Sequence, residues 1–141
     1  MGQDGELEPD PLELEHMIGF SAANDSSVQF HPTLTETFIC YTGCLILIGS
    51  TLDPHQQEFL RGHNEEITCL ALSPSGNLIA SGQASSVRVP NSEAYVIVWD
   101  FKSRQVRAPA GCLVARSQRR RRCRCHLPPL LISQAETCQE T

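Results

Sequence analysis

The sequence contains 141 residues, of which 40% are hydrophobic and 19% are charged, and its formal net charge is -5. This composition indicates one folded domain or part of one, and it excludes a wholly disordered chain. Apolar runs such as residues 44–48 are far shorter than the ~20 residues of a membrane-spanning helix, so no membrane contact is expected.

The charge is segregated along the chain. Residues 1–100 hold fourteen acidic and two basic side chains, a net -12, whereas residues 101–141 hold nine basic and two acidic ones, a net +7. Self-repulsion and a lack of apolar surface disfavour folding at both ends. We therefore predict a disordered acidic arm at residues 1–16, a folded part at 17–106 and a disordered basic tail at 107–141.

Short β-type runs follow one another through the folded part. They are rich in β-branched or aromatic residues, and Pro, Gly, Asn or Asp separates most of them. The predicted strands span residues 27–30, 37–41, 44–49, 57–60, 67–72, 78–81 and 95–99. No stretch keeps a helical period long enough for a parallel crossover, so the strands are expected to pair as antiparallel meanders in an all-β fold.

An internal repeat divides these strands into two units. A strand ends at His31-Pro32 in the first unit and at Ser73-Pro74 in the second, and the prolines lie 74 - 32 = 42 residues apart. A period of ~40–45 residues with four strands per unit is typical of a propeller blade. The sequence therefore predicts about two blades of an incomplete β-propeller.

The second unit opens with a glycine–histidine pair and closes with a tryptophan–aspartate pair. Gly62-His63 precedes the fifth predicted strand, and the seventh ends at Trp99-Asp100. The His63 ring can hydrogen-bond a buried polar partner, and the hydroxyl of Ser81 in the middle strand is placed to join it. The indole of Trp99 can fill the gap between adjacent sheets, burying ~150–250 Å2. This pattern resembles a WD repeat, with Gly62, His63, Ser81, Trp99 and Asp100 as its structural positions.

One departure from the WD pattern concerns the connection between the second and third strands of this unit. Such repeats place an aspartate there that holds the histidine, whereas residues 83–94 form a longer stretch without aspartate. We therefore expect an incomplete buried network and a loop that extends into solvent. Gln83, Arg88 and Glu93 of this loop are candidate contacts for a partner.

A longer series of short segments is more specific than a generic WD repeat. In chain order the segments are Ile18-Gly19-Phe20, Phe30-His31-Pro32, Tyr41-Thr42-Gly43-Cys44, Phe59-Leu60-Arg61-Gly62-His63, Ala80-Ser81-Gly82-Gln83 and Val98-Trp99-Asp100-Phe101-Lys102. This series resembles the N-terminus of the cilia- and flagella-associated protein 52 family. The resemblance implies a non-enzymatic microtubule inner protein of motile cilia and flagella, which binds tubulin in doublet microtubules and other axonemal proteins and supports axoneme stability and ciliary beating.

Other interpretations stay open. The same repeats fit a generic WD-repeat interaction scaffold or a relative of the echinoderm microtubule-associated protein-like family. The arginines at 119–122 offer phosphate contacts to a nucleic acid, although a solvated charged run is the simpler interpretation. No nucleophile–base set or phosphate-binding glycine loop occurs. We expect no enzymatic activity, no cofactor and no small-molecule substrate.

The seven cysteines are odd in number and irregularly spaced. This argues against a disulfide framework and favours a reducing compartment such as the cytoplasm. The resemblance to the ciliary family implies the axoneme as the location. Cys40, Cys44 and Cys69 are expected to be small apolar core residues. Cys123 and Cys125 lack the paired Cys-x2-Cys spacing of a zinc site, so no metal is expected.

Two units are too few to close a propeller. Closure takes at least ~4 blades, so the outer faces and edges of two blades meet water. We expect marginal stability and association with another surface. No further Gly-His pair follows residue 106, which favours a shortened form of a longer parent with an unrelated tail at 107–141.

Overall fold

The computed structural model of the chain describes residues 13–22, 26–85 and 94–107. Seven strands lie within these residues, namely β1 (Val28–Phe30), β2 (Thr37–Thr42), β3 (Leu45–Ser50), β4 (Gln57–Arg61), β5 (Ile67–Leu72), β6 (Leu78–Gln83) and β7 (Val96–Asp100). No described residue is helical. The predicted all-β fold is confirmed.

The strands form two antiparallel sheets. The first sheet has the order β1-β2-β3-β4 and the second has the order β5-β6-β7, which confirms the meander. After β7 the chain turns back, an isolated bridge joins Trp99 to Val106, and Arg107 N donates to Val98 O at 2.9 Å. These contacts lie where the fourth strand of a second blade would begin.

The hydrophobic core lies between the two sheets. The first sheet contributes Ile39, Ile46 and Ile48, and the second contributes Ile79 and Trp99, all at most 4% exposed. Because successive side chains of a strand point to opposite faces, one face of each sheet is buried in this interface. The other face of each sheet points away from it.

Hydrogen bonds also join the sheets along the outer edge of β5. The side chain of Gln29, in β1, donates from Nε2 to Leu70 O at 2.7 Å and accepts at Oε1 from Leu72 N at 3.0 Å. Farther along the same edge, Ile67 N donates to Gly43 O at 2.8 Å. The backbone groups of an edge strand thereby find partners in the neighbouring sheet.

His31 joins the sheets at their turns. Its Nδ1 accepts from Leu34 N at 3.1 Å, so the ring proton lies on Nε2, which donates to Gly76 O at 3.1 Å. The ring is buried and packs against Phe101, with ring centroids 4.4 Å apart. Gly76 has a φ of 78°, and a Cβ there would lie 2.4 Å from the His31 ring. The turn after β5 therefore requires glycine.

The cysteine prediction is right at two positions and wrong at one. Cys40 and Cys69 are buried free thiols, and burial raises the pKa of the Cys40 thiol to about 11. Cys44 is exposed, because it lies in the turn before β3 and not in the strand.

The predicted arm and tail lie largely outside the described residues. The described part of the arm, residues 13–16, forms no strand or helix, and directly after it Met17 N donates to Gln57 Oε1 of β4 at 2.9 Å. Of the predicted tail only Arg107 is described. Nothing in the described part of the chain forms a helix able to cross a bilayer.

Candidate functional site

A row of buried polar side chains crosses the second sheet. Trp99 Nε1 donates to Ser81 Oγ at 2.8 Å, Ser81 Oγ lies 2.7 Å from His63 Nε2, and His63 Nδ1 lies 3.0 Å from Gln83 Oε1. All four residues are at most 7% exposed. We call this set the His63 network.

The chemistry of the donors fixes the direction of these hydrogen bonds. The indole nitrogen of Trp99 only donates and the amide oxygen of Gln83 only accepts. The Ser81 hydroxyl therefore accepts from Trp99 and donates to His63 Nε2, while His63 Nδ1–H donates to Gln83. Every polar atom in the row has a partner when His63 is neutral, so this pattern of hydrogen bonds requires the neutral ring.

Gln83 completes the network, which corrects two sequence-based expectations. It is the last residue of β6 and is 2% exposed, so it does not lie in a solvent loop. It takes the role that WD repeats give to an aspartate, and the expected incomplete network is wrong. Ser81 and Gln83 share one face of β6 because they are two residues apart. Arg88 and Glu93 lie outside the described residues.

The remaining WD positions lie around the network. A Cβ at Gly62 would lie 2.7 Å from Trp99 Cη2, so glycine is needed for the indole to pack here. Asp100 lies outside the network; its Oδ1 accepts from Ser103 N at 2.8 Å. This backbone hydrogen bond lowers the pKa of the Asp100 carboxyl. Asp100 therefore stabilises the turn after β7.

Sequence reasoning missed two further contributors. Gln83 Nε2 donates to Asn64 Oδ1 at 2.8 Å. The Tyr95 ring stacks on His63, with centroids 5.5 Å apart, and its hydroxyl donates to Gly62 O at 3.2 Å. Tyr95 is twelve residues from Gln83 in the sequence, and no periodic pattern of residues connects the two positions. The stacking of Tyr95 on His63 is therefore visible only in the tertiary structure.

The His63 network makes stability depend on pH. Burial lowers the pKa of His63 below its ordinary value of 6.5. The unfolded chain therefore takes up a proton near pH 6.5 that the folded chain does not, and the free energy of unfolding is expected to fall as the pH drops through this value. Urea unfolding at about pH 7.5 and about pH 5.5, followed by the fluorescence of Trp99, measures the effect.

The matched variants are His63→Gln and His55→Gln. The first removes the buried titrating group, and the second removes an exposed histidine. His63→Gln is expected to flatten the pH dependence, whereas His55→Gln should leave it unchanged. An equal pH dependence in wild type and His63→Gln would contradict the role given to His63.

The arrangement serves structure and offers no chemistry to a substrate. His63 is neutral, enclosed and committed at both ring nitrogens. Among residues 13–22, 26–85 and 94–107, no group of three or more His, Cys, Asp or Glu side chains is placed to bind a metal ion. A network of this kind fixes the packing of one sheet against the next.

Comparison with known proteins agrees with this geometry. Residues 54–100, from the loop before β4 to the end of β7, match the family described as WD domain, G-beta repeat. The match contains every member of the His63 network.

Similarity extends beyond this single repeat. The chain is 39% identical over 97 residues to cilia- and flagella-associated protein 52 of Chlamydomonas reinhardtii, and 38% identical over 97 residues to the protein of that name in Homo sapiens. These matches cover 69% of the chain but only 15% of each relative. Centriole proteome protein 16 of Chlamydomonas reinhardtii is 39% identical over 70 residues, 50% of the chain and 3% of that protein. With its two antiparallel sheets and its histidine network, the chain is a WD-repeat protein similar to cilia- and flagella-associated protein 52.

Proposed function

We propose that the chain is a non-enzymatic structural protein of motile cilia and flagella that binds doublet microtubules as an inner protein and supports axoneme stability and ciliary beating. The observation that carries this proposal is the similarity over 97 residues to proteins named cilia- and flagella-associated. The name of the centriolar relative supports the same part of the cell.

The distribution of polar groups supports a structural role. The histidine, serine and glutamine that a catalytic site could use are enclosed and hydrogen-bonded in the second sheet. We expect the contacts with a partner at strand edges, in loops and on the top and bottom faces of the blades, since loops commonly carry binding residues. Arg88 and Glu93, in the connection between β6 and β7, remain proposed partner contacts.

Charge alone does not provide the affinity for a microtubule. Tubulin surfaces are largely acidic, and residues 1–100 carry a net charge of -12. Binding by this part therefore depends on shape and on hydrogen bonds, while the basic residues after position 106 add a long-range attraction that salt screens.

Retention in the axoneme tests the proposal. The tagged 141-residue chain, expressed in ciliated cells, is expected to stay with the axoneme after detergent extraction. A matched variant with serine at positions 119–122 separates specific binding from attraction to the arginine run. This variant should be retained almost as well as the wild type at physiological salt.

Two outcomes would contradict the proposal. Complete extraction of the wild type with the soluble proteins would favour a generic scaffold in another assembly. If the wild type were retained and the serine variant were not, the interaction would be a non-specific attraction to the arginine run. RNA or DNA in the purified chain, removed by salt, would instead favour the nucleic-acid alternative.

A further inference from the structure

Three turns meet at one end of the two sheets and line a cleft of about 310 Å3. The turns follow β1, β5 and β7, and each of them contributes side chains to the wall. The residues that decide the chemistry of the cleft are His31, Leu34, Asn77, Phe101, Lys102 and Arg104. We call this site the turn cleft. Its volume is at the lower end of the range of ligand sites, about 300–1,000 Å3.

Hydrogen bonds between the turns fix the walls of the turn cleft. The His31 ring donates to Gly76 O, which joins the turn after β1 to the turn after β5. Phe101 N donates to Asn77 O at 2.8 Å, which joins the turn after β5 to the turn after β7. A ligand therefore does not have to order these turns when it binds, and this lowers the entropic cost of binding.

Positive charge is concentrated beside the turn cleft. The described residues include eight acidic and four basic side chains, and three of the four basic ones, Lys102, Arg104 and Arg107, lie within six residues of the chain. Lys102 is exposed, and no acidic side chain in the described ranges forms an ion pair with it. Asp100 in the same turn accepts from Ser103 N instead. Basic side chains that line a cleft attract an anionic ligand.

Arg104 has two features that are typical of a binding site. Among the described residues it is the one non-glycine residue with a positive φ, 62°, a conformation that disfavours a residue with a Cβ. Its guanidinium pairs with Glu58 of β4 at 2.6 Å and lies over the Phe101 ring, 4.3 Å from the centroid. Its Nη1 is buried and has no hydrogen-bond partner in the described ranges. Strained residues cluster at ligand-binding sites, and buried donors without an acceptor are rare in folded proteins.

The wall of the turn cleft combines this positive charge with apolar surface. The Phe101 ring and the side chain of Leu34, which is 48% exposed, line the cleft together with the two cations. A carboxylate beside an apolar side chain matches both parts of the wall. A nucleic acid fits less well, because salt screens the attraction beyond about 8 Å and a long polyanion would extend over a surface in which acidic residues outnumber basic ones.

We propose that the turn cleft binds a short acidic peptide segment of a partner protein, with a carboxylate at Lys102 and Arg104 and an apolar side chain on Phe101 and Leu34. The site does not depend on a ciliary location. Peptide binding and retention in the axoneme are therefore separate tests.

Peptide titration tests the site. The probe is a fluorescein-labelled peptide of sequence Glu-Glu-Leu-Glu-Glu, and its matched control has glutamine in place of every glutamate. The protein is the 141-residue chain with serine at positions 119–122, since the arginine run would attract any acidic peptide. Fluorescence anisotropy is expected to show saturable binding of the acidic peptide and about fivefold weaker binding of the glutamine peptide.

Lys102→Glu and Arg61→Glu separate the turn cleft from the charge of the whole molecule. Both reverse the charge of one exposed side chain, but Arg61 does not line the cleft. Lys102→Glu is expected to weaken binding by about tenfold, because it removes an ion pair and adds repulsion. Arg61→Glu should change the affinity by less than about twofold, because salt screens a charge outside the cleft.

Arg104→Gly and Glu58→Gln separate binding from a purely structural role of Arg104. Both remove the ion pair between β4 and the turn after β7. Arg104→Gly also relieves the backbone strain, yet it should weaken peptide binding by about threefold because a cation of the site is lost. Glu58→Gln leaves both cations in place and removes a competing carboxylate, so it should strengthen binding by about twofold.

The near-ultraviolet signal of the single tryptophan, Trp99, confirms that each variant is folded. A chain that does not bind the acidic peptide, or binds the glutamine peptide equally well, would overturn the proposal. Equal losses in Lys102→Glu and Arg61→Glu would reduce binding to net charge and would also overturn it. A short oligonucleotide that binds more tightly than the peptide would assign the cleft to nucleic acid instead.

Discussion

Replacing Trp99 with alanine is expected to destabilise the chain by about 3–5 kcal/mol, the usual cost of removing a large buried aromatic ring. The indole is 2% exposed and belongs to the core between the sheets, so its loss leaves a cavity in the main hydrophobic contact of the molecule. It also removes the only donor to Ser81 Oγ from β7. Because small domains have only ~5–15 kcal/mol of stability, this change removes a large fraction of the free energy of unfolding. Urea denaturation followed by circular dichroism measures the change.

Trp99→Phe is the matched variant for the hydrogen bond. Phenylalanine keeps most of the apolar volume and lacks the N–H group, so this change should cost less, about 1–3 kcal/mol. The difference between the two variants then reports the packing of the indole. Costs below about 1 kcal/mol for both would contradict the central position given to Trp99.

Replacing Gly76 with alanine is expected to have the second largest effect, about 2–5 kcal/mol. The left-handed backbone at a φ of 78° costs an L-residue about 1–2 kcal/mol, and the new methyl group meets the His31 ring at 2.4 Å. This ring is buried between Gly76 O and Phe101, so it cannot move without loss, and overpacking adds about 1–3 kcal/mol. Equilibrium unfolding in urea measures the total.

Gly43→Ala isolates the backbone part of this cost. Gly43 also has a positive φ, 53°, but a Cβ there meets no atom within 4 Å. It should therefore cost only about 1–2 kcal/mol. In a double-mutant cycle, His31→Ala should relieve part of the Gly76→Ala penalty. Equal effects of Gly43→Ala and Gly76→Ala, with no coupling to His31, would refute the steric argument.

The strands were predictable because the forces that form them are local. Each strand is a run of β-branched or aromatic residues between turn residues, and every observed boundary lies within two residues of the predicted one. The exposed position of Cys44 shows the limit of this reasoning. Cys44 lies beside Gly43 in the turn before β3, and a shift of the strand boundary by one residue decides whether its side chain belongs to the strand or to the turn.

The site was predictable only in part. His63, Ser81 and Trp99 follow from the spacing of the WD pattern, and the structure brings them together. Gln83 was assigned to a loop because no aspartate follows Ser81. Side chains two residues apart on a strand point to the same face, so extending the strand by two residues would have placed Gln83 beside Ser81. The contacts of Gln29 and Tyr95 depend on how sheets and turns approach each other, which a linear pattern does not encode.

The amide of Gln29 has a protective consequence for the whole molecule. An exposed strand edge offers free peptide groups on which a foreign polypeptide can add as a new strand, the first step of fibrillar aggregation. At Leu70 and Leu72 those groups are already occupied by a side chain that imitates a peptide unit. A fluctuation that withdraws Gln29 would expose this part of the β5 edge as a template for misassembly, so the glutamine protects that edge.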